Sequence, residues 1–196
     1  MDTAWKVFAE QGYERTSVET IVALNGGSKA TVYSYFKSKE DLFLQASFAK
    51  ATELSSAVFE AFPACTGLGH SLLALGKSYL GFYLNSELIE IFRLAAAEGK
   101  RRHFGAMLYE KCFKTSWGKV AEYLQQRIEP TRLLPGGGWT AAMHLRGLLD
   151  GDTLLQRSWG ILDAVPPEKS ETIAASAVTA FLRIYAPESL AELEKP

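Results

Sequence analysis

Residues 16–38 read TSVETIVALNGGSKATVYSYFKS. At the start of this stretch, Thr16-Ser17 offers a side-chain oxygen to cap a short helix whose Val18, Ile21 and Val22 fall on one face. Asn25-Gly26-Gly27 then tolerates the left-handed backbone of a tight turn. Ser28 caps the next helix, Lys29 to about Phe36, and Ser38 caps another, with Asp41 placed as in a capping box. Two short helices joined by a glycine turn, the second capped by serine, have the helix-turn-helix shape.

The same reasoning extends in both directions. Upstream, Asp2 to Gln11 sets Trp5, Phe8 and Ala9 at helical spacing and stops at Gly12. Downstream, Leu42, Phe43, Ala46, Ala49 and Ala57 carry a long helix to about Phe62, where Pro63 ends it; such a helix spans ~35 Å. Further helices are predicted over Ser71–Leu84, from a Ser86 cap through about Glu98, over Phe104–Ile128, over Trp139 to about Leu162, and over Pro167–Tyr185. Pro130 to Gly138 is a loop. No period-two strand pattern and no internal repeat appears. The expected fold is all-α, an N-terminal helix-turn-helix unit joined by a long helix to a C-terminal helical bundle.

Composition narrows the function classes. The 196 residues hold 21 Lys+Arg against 22 Asp+Glu, a formal net charge of −1, so any nucleic-acid role must rest on a local patch. A hydrophobic content of 47% fills a core and excludes a disordered chain. No stretch reaches the ~18 apolar residues of a membrane helix. Met1 to Lys6 lacks the plan of a secretion signal. Cys65 and Cys112 form no metal or redox spacing and read as reduced thiols of a cytoplasmic chain.

A local patch is present. From Thr20 to Lys39 there is no acidic residue, while Lys29, Lys37 and Lys39 are basic and Thr31, Tyr33, Ser34 and Tyr35 carry hydroxyls. Lys29 and Thr31 fall in the first turn of their helix, where free N–H groups favour a phosphate. Tyr33 and Lys39 are suited to phosphates flanking a major groove. A plainer reading makes the tyrosines half-buried packing and the lysines solvated charges.

The run Phe8-Ala9-Glu10-Gln11-Gly12-Tyr13-Glu14-Arg15-Thr16-Ser17-Val18, then Ile21, Gly26, Ser28-Lys29-Ala30-Thr31-Val32-Tyr33, Tyr35-Phe36 and Ser38-Lys39-Glu40-Asp41-Leu42-Phe43, closely resembles the tetracycline-repressor (TetR) family. The resemblance covers nearly all of residues 2–48 in one register. It implies a DNA-binding unit over residues 1–48 and a ligand-binding and dimerisation unit over 49–196. It further implies that Ser17, Ser28, Lys29, Thr31, Tyr33, Tyr35 and Lys39 face DNA, with Lys29 nearest the base edges, and that Phe8, Ile21, Val32 and Phe36 form the small unit's core. The implied partners are a palindromic double-stranded operator, a small-molecule effector and a second copy of the chain; no cofactor, metal or membrane is implied. The implied role is a repressor released by its ligand through the tilt of the long helix. Two departures stand out. Where the family has an apolar turn residue this chain has Gly27, expected to be extended and to accept valine with a gain in stability. The family's usual basic residues before the first helix are also missing, which implies a shortened or late-starting version with weaker affinity.

The second half is rich in rings. The resemblance places a pocket there, and Phe82, Tyr83, Phe104, Met107, Trp117 and His144 are its candidate lining, with Arg146 beside His144 as a polar anchor. The same rings also fit a plain core role, and His144 a satisfied core hydrogen bond. The last helices carry apolar faces, Leu145, Leu148, Leu149, Leu155 and Trp159 on one and Ile173, Ala177, Ala180, Phe181 and Ile184 on the other, with Gly147 and Gly151 a turn apart. These predict a two-fold dimer through a four-helix bundle. Enzyme chemistry finds no support: His103 and Cys112 fall on opposite faces of one helix, about 180° apart, Asp150 and Asp152 diverge, and no phosphate loop or nucleophile elbow appears. The alternative to a DNA-binding regulator is a helical adaptor of the same fold that has lost DNA binding.

Overall fold

A computed structural model describes residues 1–59, 62, 67–81, 84, 87–100 and 103–193. Among these the chain is helical with no strand. The elements are α1 (Asp2–Gln11), α2 (Val18–Asn25), α3 (Lys29–Tyr35), α4 (Lys39–Phe59), α5 (Leu68–Gly81), α6 (Leu88–Glu98), α7 (Phe104–Leu108), α8 (Lys114–Arg127), α9 (Gly137–Asp150), α10 (Thr153–Ser158) and α11 (Pro167–Tyr185). A π-helical turn, Tyr109–Phe113, joins α7 to α8. The expected Ser86 cap and Pro63 stop lie outside the described residues.

Local chemistry sets the first four helices. Ser17 and Ser28 have extended backbones, and each side-chain oxygen accepts from the N–H three residues on, Thr20 and Thr31, at 3.1 Å. Ser38 does the same for Asp41, whose carboxylate reaches back to the Lys37 N–H at 2.9 Å. Thr16 is buried and donates to the Gly12 carbonyl at 2.8 Å, pinning α1 to the start of α2.

Two apolar clusters hold the molecule. One joins α5, α8, α9 and α11 through fully buried side chains such as Leu72, Tyr79, Val120, Leu145 and Phe181. Each such burial contributes roughly 1.5–3 kcal/mol relative to exposure. The other begins at Ala4, Trp5 and Phe8 of α1, passes through Phe43 of α4, and continues into Leu88, Ile91, Phe104 and Cys112. Phe43 is its hub: its ring lies 5.2 Å from Phe8, 5.0 Å from Tyr13 and 5.1 Å from Phe104. Ile21 is buried here, and Val32 and Phe36 pack against the cluster from the side.

Two expectations are corrected. The single helix over Trp139–Leu162 is broken at Gly151, where φ is +45°. The break turns α10 so that Arg157 is buried, donating to the Leu84 and Leu162 carbonyls at 2.6 and 2.8 Å. Gly27 is not extended: its φ is +101°, following Gly26 at +75°. A Cβ at Gly27 would meet nothing within 4 Å, so it would gain no packing contact. Gly27→Val is therefore expected to destabilise by about 1–2 kcal/mol through left-handed backbone strain. Thermal unfolding followed by circular dichroism should show a melting temperature lower by several degrees; a rise would contradict the turn geometry.

Candidate nucleic-acid interface and effector cavity

None of the α3 side chains is buried. Tyr35 is 77% exposed and Tyr33 43%, so Tyr35 has no packing role to account for it. Lys29, Thr31, Tyr33 and Tyr35 share this exposed helix. Ser17 and Ser28 sit at the caps, and Lys39 stands at the start of α4. The Thr31 hydroxyl lies 2.9 Å from that of Ser28, and Ser34 donates to the Thr31 carbonyl at 2.7 Å, which stiffens the helix start. Lys39 is half-buried: its ammonium lies 4.4 Å from the Tyr13 ring centre and 3.3 Å from the Glu14 carbonyl.

One partner escaped the sequence reading. Lys29 is ion-paired with Glu19 of α2, one position outside the acid-free window. Hydrogen bonding to Lys29 lowers the Glu19 pKa, and Glu19 in turn raises that of Lys29. Both groups are exposed, so the pair is weak and easily exchanged for another anion.

A cavity of about 300 Å³ opens among α4, α6, the π turn and α8. Ala51, Ser55 and Phe59 of α4 form one wall, Ile91 and Phe92 of α6 another, and Tyr109, Phe113 and Trp117 a third, with Arg146 entering from α9. Of the residues expected in the pocket, Trp117 and the polar anchor Arg146 are placed in this wall. Phe104 is fully buried against Phe43, and Met107 packs on the same cluster. His144 is exposed, its Nδ1 2.6 Å from the Tyr185 hydroxyl. Phe82 and Tyr83 lie outside the described residues. Phe59 and Phe113 were missed, although the four-residue spacing of Tyr109, Phe113 and Trp117 signals one face.

The polar end of the cavity is a linked set. Arg146 Nη2 lies 3.0 Å from Asp150 Oδ2, and the Tyr79 hydroxyl donates to Asp150 Oδ1 at 2.6 Å. Burial pushes the Asp150 carboxyl above the usual carboxylate range, against the opposing pull of Arg146 and Tyr79. Burial also pushes the Cys112 thiol up, which disfavours the nucleophilic thiolate. Among the described residues no group of three or more His, Cys, Asp or Glu is placed to hold a metal, and no helix is long and apolar enough to cross a membrane. A second link runs from cavity to interface: Trp5 Nε1 of α1 donates at 2.8 Å to Glu87, the residue before cavity-lining Leu88.

A helix-turn-helix with an exposed second helix, packed against a cavity-bearing bundle, is the architecture of a DNA-binding transcriptional regulator. Residues 1–46 match the family of bacterial regulatory proteins named for tetR, and residues 70–187 match the AefR-like transcriptional repressor C-terminal domain. The chain belongs to the TetR family of transcriptional regulators. It is 26% identical over 179 residues to the HTH-type transcriptional regulator AcrR of Shigella flexneri, covering 81% of this chain and 75% of that one. A putative TetR-family regulator from Mesorhizobium loti superposes with a TM-score of 0.81 at 26% identity, over 93% of both chains. The flavonoid-responsive regulator FrrA superposes at 0.73 with 27% identity, over 94% of both chains.

Asp150 offers a test by pH. Its raised carboxyl pKa means that the folded chain holds this proton more firmly than the unfolded one. That contribution is full below the ordinary value of 3.8 and is lost as pH rises through the raised folded value. The melting temperature of the wild type relative to Asp150→Asn should accordingly fall as pH rises from 3.8 toward neutrality. A difference that stays flat or grows would contradict the burial argument.

Proposed function

We propose that this regulator is a cytoplasmic, homodimeric repressor that leaves a palindromic operator when a small molecule fills its cavity. The observation that carries the reading is the shared cluster: Phe43 touches Phe8 of α1 on one side and Phe104 of α7 on the other. Cys112 and Leu108 of the same cluster also line the cavity. In this reading residues 1–48 are the DNA-binding unit and 49–196 the effector and dimerisation unit. Ser17, Ser28, Lys29, Thr31, Tyr33, Tyr35 and Lys39 meet DNA, with Lys29 exchanging Glu19 for the nucleic acid.

The dimer reading is supported by an apolar surface on the C-terminal helices. Leu145, Leu149, Ala177 and Phe181 are buried within the chain's own bundle, whereas Leu148, Leu155, Trp159, Ile161 and Ile184 are exposed. Trp159 alone is 72% exposed, unusual for a large ring unless a partner covers it. A two-fold pair must set its recognition helices about 34–36 Å apart to read successive major grooves. A ligand that favours another spacing releases DNA by its difference in affinity for the two states, typically ~1–3 kcal/mol. The ring-lined cavity suits an aromatic effector, in keeping with the flavonoid response named for FrrA.

Titration against random duplex DNA tests the interface. Affinity should fall steeply with salt, and Lys39→Ala should weaken binding and flatten the log–log slope by about one unit per protomer. Glu19→Gln, which frees Lys29, should strengthen binding at low salt. Absence of binding at any salt would instead favour the adaptor reading.

A further inference from the structure

The cavity has a charged side chain in its wall. Among the described residues that line it, Arg146 carries the only formal charge, and none is acidic. Its guanidinium carbon stands 5.0 Å over the Phe113 ring. Asp150 and Tyr79 stand behind Arg146 and do not line the cavity, and Asp150 is 8% exposed. Of the Arg146–Asp150 pair, the cation is the member that lines the cavity. Next to that cation, Tyr109 and Phe113 lie ring on ring, 5.3 Å apart and 16° from parallel, and with Phe59, Phe92 and Trp117 they make the wall aromatic.

We infer that the cavity takes a flat aromatic molecule bearing one carboxylate, its rings against the aromatic wall and its carboxylate on the Arg146 guanidinium. This rests on the cavity being the effector site. A guanidinium is a planar fork of five donors, able to serve two carboxylates on different edges. A charge-assisted bond made in an apolar surround is stronger than a neutral one. An ammonium group would meet Arg146 with no carboxylate among the described residues of the wall to receive it.

The test is calorimetric titration of the full chain with 2-naphthoate, 2-naphthamide, 2-naphthylmethylammonium and decanoate. The expected order places 2-naphthoate at least about tenfold tighter than the amide, the scale of one charge-assisted hydrogen bond, with the ammonium weakest. Arg146→Met should remove the preference. The double variant Arg146→Met with Asp150→Asn, which leaves no unpaired buried charge, should bind the acid no more tightly than the amide. Equal binding of acid and amide by the wild type, or a preference that survives the double variant, overturns the assignment and leaves the cavity reading standing. Decanoate binding as tightly as 2-naphthoate overturns its aromatic half. Binding of none of the four overturns the inference together with the reading on which it rests.

Discussion

The packing of one ring, Phe43, holds the two halves of this regulator in register. It is fully buried on α4, with Phe8 and Tyr13 edge-on to one side and Phe104 to the other. Close-packed rings do not deform continuously, so a displacement of α7 must be followed by α4 or leave a void. The small helical unit thus does not own a closed core. Its apolar cluster runs past residue 48 into α6, α7 and the π turn, the same elements that enclose the cavity. The hydrogen bond from Trp5 to Glu87 adds a polar tie between α1 and the entry to α6.

Much of this was legible because it is local. Ser17, Ser28 and Ser38 each cap the helix that follows, and a cap is a matter of a few adjacent residues. Other features depended on what the chain meets at a distance. Two glycines in succession permit positive φ at either or both, and nothing in the sequence chooses; here both adopt it. Glu19 meets Lys29 across that turn, a contact that a window cut at Thr20 leaves out. The break at Gly151 places Arg157 among carbonyls of distant segments, which no local pattern announces.

The cavity was the least legible part. Phe104 and Trp117 both stood out as large rings in one helical stretch, yet at 100° per residue they fall about 220° apart. One therefore fills the cluster around Phe43 while the other lines the cavity. The π turn between them shifts the register further, and it carries Tyr109, Cys112 and Phe113 of the cavity wall. Such turns often mark functional sites within helices. Arg146 and His144, two residues apart in sequence, part company for the same geometric reason: Arg146 enters the wall and His144 turns to Tyr185.

The central claim is that cavity wall and DNA-binding unit are one mechanical body joined at Phe43. Native-state hydrogen exchange of Phe104→Leu tests it most directly, since the substitution trims the ring that touches Phe43 from α7. The account predicts lost amide protection in α1 and the first half of α4 as well as in α7, with α9 and α11 unchanged. Loss confined to α6 and α7, with α1 protected as in the wild type, would contradict it.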